Sequence, residues 1–139
     1  MPAGAPEIEA YVEDLSLQIR RKAKEGELGA VETVYLGGGT PSLLRPEQAK
    51  RLIDAARPMP GAEITLEANP ETVTEESLAG FREAGVNRIS FGVQSARDSQ
   101  LKTLGRPHTA RQARAAFAAA RRAGFTNISG DIMLALPHY

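Results

Sequence analysis

A chain of 139 residues, 42% hydrophobic and 24% charged, is expected to fold as one soluble globular unit with a substantial core. Its 17 Lys and Arg balance its 17 Asp and Glu, which excludes the global positive field that gathers phosphate backbones, so nucleic acid is not an expected partner. No apolar stretch approaches the roughly 20 residues that cross a bilayer, the lead-in to Pro6 lacks a secretory pattern, and cysteine is absent, so the expectation is a cytoplasmic chain without disulfides, thiolate nucleophile or Cys-held metal.

The spacing of Ile8, Tyr11, Val12, Leu15 and Ile19 predicts an amphipathic helix over 7–24, ending near Gly26. Thr33 to Leu36 is a short β-favouring run that stops at Gly37-Gly38-Gly39-Thr40-Pro41, because three successive glycines destabilise any regular element. Pro46 suits the first turn of a second helix, with an apolar stripe at Ala49, Leu52, Ile53 and Ala56 and a stop before Pro58. Glu63 to Glu67 alternates with period two as a second strand. Thr74 then caps a third helix, anchored by Leu78 and Phe81, with Glu75 and Glu76 in its first turn and Gly85 at its end. Arg88 to Val93 alternates again. After a polar loop, Thr109 opens an Ala-rich helix that Gly124 closes, and a last strand is predicted over 127–134.

Four strands separated by helices read as βα units, so the class is α/β with about four parallel strands. Pattern alone leaves open an open doubly wound sheet or an arc of a barrel. The order opens with a helix and closes just after a strand, so the expectation for 1–139 is a partial core missing strands at both ends, with exposed strand edges that favour self-association.

Strand parity adds a functional expectation. Ile64 and Leu66 oppose Thr65 and Glu67; Ile89, Phe91 and Val93 oppose Ser90, Gly92 and Gln94; Ile132 and Leu134 oppose Ser129 and Asp131. A sheet covered by helices on both faces would be apolar on both, so the polar second face predicts a ligand-holding barrel interior. Glu67, Gln94 and Asp131 fall at or near strand C-terminal ends, where α/β folds bind ligands. Asn69, before Pro70, reads as an ordinary turn residue. The glycine-rich loop is neither a Walker loop nor a dinucleotide fingerprint, but it suits close backbone approach to a carboxylate or phosphate, with Thr40 adding a hydroxyl. His108 and His138 lack the company of a metal site and read as surface or capping residues, so no residue is assigned to a metal.

Three segments together, Tyr35-Leu36-Gly37-Gly38-Gly39-Thr40-Pro41-Ser42-Leu43-Leu44, Glu63-Ile64-Thr65-Leu66-Glu67-Ala68-Asn69-Pro70 and the run from Gly85 to Ser95, resemble the radical S-adenosylmethionine superfamily. Within it the chain resembles the oxygen-independent coproporphyrinogen III oxidase-like group, and Leu104-Gly105-Arg106-Pro107-His108 and Asp131-Ile132-Met133 extend the match. The pattern leans to the haem chaperone branch, since the oxidases tend to show Asp-Pro-Arg and Asn-Arg where this chain has Asn69-Pro70-Glu71 and Gly105-Arg106.

The resemblance implies a partial (β/α) barrel that binds S-adenosyl-L-methionine, with haem or a porphyrin as a further ligand. It implies that Gly38, Gly39 and Thr40 hold the cofactor's amino group and carboxylate, and that Glu67, Gln94, Arg106 and Asp131 line the cofactor sites. The family's reaction also needs a [4Fe-4S] cluster on a Cys-x-x-x-Cys-x-x-Cys loop, which would lie upstream of 7–24 in the parent. With no cysteine, this chain alone is expected to bind rather than catalyse, so no catalytic residue is assigned. Ala135 stands where the family usually has Gly. Two other readings are a non-catalytic module for haem, porphyrin or adenosine ligands, and a barrel fragment whose Gly37 to Thr40 loop holds a phosphate.

Overall fold

The computed structural model describes residues 4–136, which leaves His138 outside the described residues. Helix α1 (Ala5–Lys24) is followed by strand β1 (Thr33–Leu36), a 3-10 turn (Pro41–Leu43), α2 (Pro46–Ala56), β2 (Glu63–Ala68), a second 3-10 turn (Pro70–Thr72), α3 (Glu75–Glu83) and β3 (Arg88–Gln94). Then come α4 (Asp98–Thr103), α5 (Ala110–Arg122) and β4 (Asn127–Ile132). All neighbouring strands pair in parallel in the order β1-β2-β3-β4. Sequential order without reversal among the described strands is the order of a barrel arc.

The core lies on the helix side of the sheet. Ile64 and Leu66 from β2 and Ile89 and Phe91 from β3 meet Ala49 and Ile53 of α2, Leu78 and Phe81 of α3, and Ala116 and Ala120 of α5. Each fully buried Leu, Ile or Phe contributes about 1.5–3 kcal/mol of transfer free energy. Phe91 and Phe117 add a tilted ring contact at 5.0 Å. Thr74 and Thr109 cap α3 and α5 by accepting from the backbone N–H of Ser77 and Gln112.

α1 packs against α2, and Glu9 fastens the two by accepting from Gln48 Nε2 at 2.7 Å and from the guanidinium groups of Arg51 and Arg45. Those donors, Gln48 first, hold the Glu9 carboxyl below the usual range.

Several expectations need correction. Tyr11 is 64% exposed; the rest of the expected stripe faces inward, with Val12 buried and Ile8, Leu15 and Ile19 half-buried, and Ser16 joins it. The polar loop before Thr109 contains α4, whose pattern is too short to read by period but which buries Leu101. β4 stops at Ile132, and Ile132 and Leu134 are exposed, since no described element covers that end of the strand. Ala135 has φ 56°, the left-handed geometry that explains a glycine preference at its position.

Candidate functional site

The face of the sheet opposite the core is polar in layers. Arg88 spans the middle of it, donating from Nη2 to Ser129 Oγ at 2.9 Å and from Nη1 to Thr65 Oγ1 at 3.3 Å, while Ser129 Oγ donates to Ser90 Oγ at 3.0 Å. Above this layer, at the C-terminal strand ends, lies a cavity of about 280 Å³ lined by residues of every strand exit. Gly39, Thr40, Glu67, Gln94, Arg106 and Asp131 all line it, together with Asn69, Ser90 and Gly92.

β1 delivers the glycine loop to this cavity. A side chain at Gly37 would stand 2.7 Å from the Tyr35 ring and 3.2 Å from the Glu67 carboxyl carbon, so it would push apart the Tyr35–Glu67 pair. Gly38 and Gly39 follow with φ of 81° and 60°. Gly38 does not line the cavity; its N–H donates to Glu67 Oε2 at 3.1 Å. Thr40 precedes the first 3-10 turn without a side-chain capping bond.

Glu67 also accepts from the Tyr35 hydroxyl at 2.7 Å. That bond, with burial and the nearby Glu67 charge, pushes the phenol above its ordinary value. Sequence reasoning missed Tyr35, although register places it beside Thr65 on the polar face.

β3 reaches the cavity through an irregularity. Its register with β4 shifts between Gly92 and Gln94, and Gln94 has φ 64°, so simple alternation ends at Gly92 and a bulge brings Gln94 to the cavity. Arg106 comes from the loop between α4 and α5. Its Nη2 makes only long contacts, 3.4 Å to Asn69 Oδ1 and 3.5 Å to the Gly92 carbonyl, and its Nε is buried without a partner among the described residues. The guanidinium therefore has donor capacity that no acceptor among the described residues meets. Asn69 is therefore more than a turn residue: its carbonyl accepts from Thr72 N–H at 3.0 Å while its side chain faces Arg106.

Across the cavity the charge is divided. Glu67 and Asp131 offer carboxylates, Asp131 with Ser90 Oγ at 3.5 Å, and Arg106 offers an unpaired donor. The hydroxyls of Thr40 and Ser90 and the amides of Asn69 and Gln94 complete a donor and acceptor set complementary to a zwitterion.

Comparison with known proteins decides the family. A sequence model of the Radical SAM superfamily matches residues 6–139. This chain belongs to the radical SAM superfamily. Among its relatives in the superfamily, the haem chaperone HemW of Bacillus subtilis is 40% identical over 136 residues, covering 94% of this chain and 36% of the relative. HemW of Escherichia coli is 40% identical over 131 residues, covering 91% and 35%. The bovine mitochondrial radical S-adenosyl methionine domain-containing protein 1 is 46% identical over 111 residues, covering 77% and 25%. The structure of the radical SAM coproporphyrinogen III oxidase HemN from Escherichia coli superposes with a TM-score of 0.80 at 29% identity, covering 95% of this chain and 31% of HemN. The chain thus falls with the HemN and HemW group and spans about a third of the length of the HemW relatives.

Membership of the radical SAM superfamily implies S-adenosylmethionine and a [4Fe-4S] cluster in the parent protein. The unpaired Arg106 Nε and the divided carboxylates fit the zwitterionic end of S-adenosylmethionine. The cluster does not fit these residues: the chain has no cysteine, and no cluster of three or more His, Asp or Glu among the described residues could hold a metal. Among the described residues, no helix is long and apolar enough to cross a membrane.

His108 also departs from the sequence expectation. It is 2% exposed, with Nδ1 3.1 Å from Glu71 Oε2 and Nε2 3.1 Å from the Val93 carbonyl, so it is neither a surface nor a capping residue.

Proposed function

We propose that this chain is the S-adenosylmethionine-binding wall of a haem chaperone-like radical SAM protein of porphyrin metabolism, and that by itself it binds without catalysing. The observation that carries the reading is the cavity at the strand ends, where a buried guanidinium nitrogen without a partner stands across from two carboxylates. In this reading Arg106 pairs with the cofactor's carboxylate, Gly39 and Thr40 approach its methionine end, Gly38 acts only through its N–H bond to Glu67, and Glu67 and Asp131 accept from the cofactor's ammonium or ribose hydroxyls. Gln94 can donate or accept. When bound, S-adenosylmethionine supplies the carbon centre on which the superfamily's radical chemistry depends; the residues of this chain bind and orient it.

The relatives named haem chaperones support a haem or porphyrin ligand for the whole protein. In this chain the His108 ring has both nitrogens engaged, so haem binding should be insensitive to its replacement. The unpartnered outer edges of β1 and β4 support self-association of the isolated chain, which size-exclusion chromatography reads directly.

Isothermal titration with S-adenosylmethionine tests the main reading. Saturable binding, weakened about 10- to 100-fold by Arg106→Ala, is expected from loss of one charged contact of about 1.5–3 kcal/mol. Absence of binding, or displacement by a phosphorylated ligand, would overturn it.

A further inference from the structure

The best-buried polar ring among the described residues, that of His108, belongs to neither the core nor the cavity. Its two nitrogens are both committed, and the residues they reach lie beside the cavity's polar side chains.

Nε2 of His108 donates to the carbonyl of Val93, since a carbonyl can only accept. The same carbonyl accepts from Ser95 N–H at 2.8 Å, and the next residue, Gln94, sits in left-handed geometry. A non-glycine residue there costs about 1–2 kcal/mol, so it persists only where neighbours hold the turned peptide in place. The His108 ring is such a holder.

On the β2 side, Nδ1 meets Glu71, in the 3-10 turn two residues beyond Asn69. Asn69 is the side chain that Arg106 Nη2 touches. On its own segment, His108 is two residues beyond Arg106, separated by Pro107, whose ring fixes one backbone angle. Arg106 N–H donates to the Leu101 carbonyl at 2.9 Å, and Asp98 accepts from Ala110 N–H at 2.7 Å, so the loop is secured on either side of the ring as well.

We propose that His108 is the positioning residue of this cavity: its buried ring ties the exits of β2 and β3 to the loop that carries Arg106 and so sets where Arg106, Gln94 and Asn69 stand. It touches no ligand itself. Its effect on binding passes through the guanidinium and the amide. This inference rests on the S-adenosylmethionine reading of the cavity, but its structural half does not.

The test is made on the intact protein that carries this chain, with S-adenosylmethionine as the probe in isothermal titration. His108→Phe keeps the volume and removes both bonds; an affinity loss of about tenfold is expected. In a background that carries both Arg106→Ala and Gln94→Ala the same substitution should change affinity less than twofold, which a merely structural histidine would not produce. Affinity within twofold of the unsubstituted protein, with only a lowered melting temperature, would overturn the proposal. If His108→Phe fails to fold, Glu71→Ala, which removes the partner of Nδ1, is judged by the same criteria, with about threefold weakening expected and an unchanged affinity overturning it. If the unsubstituted protein does not bind the probe, the cofactor reading fails separately. Hydrogen exchange at the Ser95 and Arg106 amides then decides the positioning role: about tenfold faster exchange in the variant supports it, and unchanged exchange refutes it.

Discussion

Replacing Gly92 with alanine places one methyl group in the cavity wall. The added carbon would stand 3.0 Å from Arg106 Nη2, 3.1 Å from Gln94 Nε2 and 3.2 Å from Asn69 Oδ1, each a few tenths of an ångström too close. All three atoms are the ends of flexible side chains, so the backbone need not move. Gly92 lies within β3 and has no positive φ, and removing a strand glycine stabilises by about 0.5–1 kcal/mol through the unfolded chain. Stability should therefore hold or rise slightly. Binding should suffer, because Arg106 is displaced from contacts that are already long, 3.4 Å to Asn69 and 3.5 Å to the Gly92 carbonyl. Losing one well-placed charged hydrogen bond to the ligand costs about 1.5–3 kcal/mol, or roughly 10- to 100-fold in affinity. Thermal melting and titration with S-adenosylmethionine, run on the same preparation, read the two effects separately. An unchanged affinity, or a loss that only follows a fall in melting temperature, would refute the assignment of Arg106 to the ligand.

Gly80→Ala should act in the opposite sense. Its Cβ would lie 2.6 Å from the rigid Pro46 ring where α2 meets α3, and overpacking of about 1–3 kcal/mol outweighs the helix gain of about 1, so melting temperature falls while affinity stays. Thr109→Ala removes the α5 cap and should cost about 1 kcal/mol in chemical denaturation without altering the denaturant slope. Glu9 gives an acid-sensitive contact. Its folded pKa is depressed, so its contribution is present above the unfolded value and lost as pH falls through the folded one. Exchange of α1 amides should accelerate across that acidic window, and Glu9→Gln should abolish the acceleration.

Much of this was legible because local rules and tertiary demands agree. The β1 boundaries followed from a β-favouring run meeting three glycines, and the caps at Thr74 and Thr109 from hydroxyl residues just ahead of apolar periodicity. The polar face of the sheet followed from period-two alternation, and the structure gathers Thr65, Arg88, Ser90 and Ser129 there. What parity could not show was the β3 bulge, since an extra residue leaves no mark in composition, nor α4, which is too short to display a period. His108 was misread because burial of a lone histidine depends on partners distant in sequence. Glu71 and His108 belong to two separate motifs in the sequence, and only the fold shows that they touch, 37 positions apart.

The division of the sheet into an apolar face under the helices and a polar face toward the cavity bears on how such a protein can change over generations. The cluster built on Leu66, Ile89 and Phe91 packs under the helices, while Glu67, Ser90 and Asp131 reach the cavity on the other side of the sheet. Substitutions that retune ligand chemistry therefore fall on residues the core does not use. A lineage built on this scaffold can drift from one substrate to another with little risk of unfolding on the way.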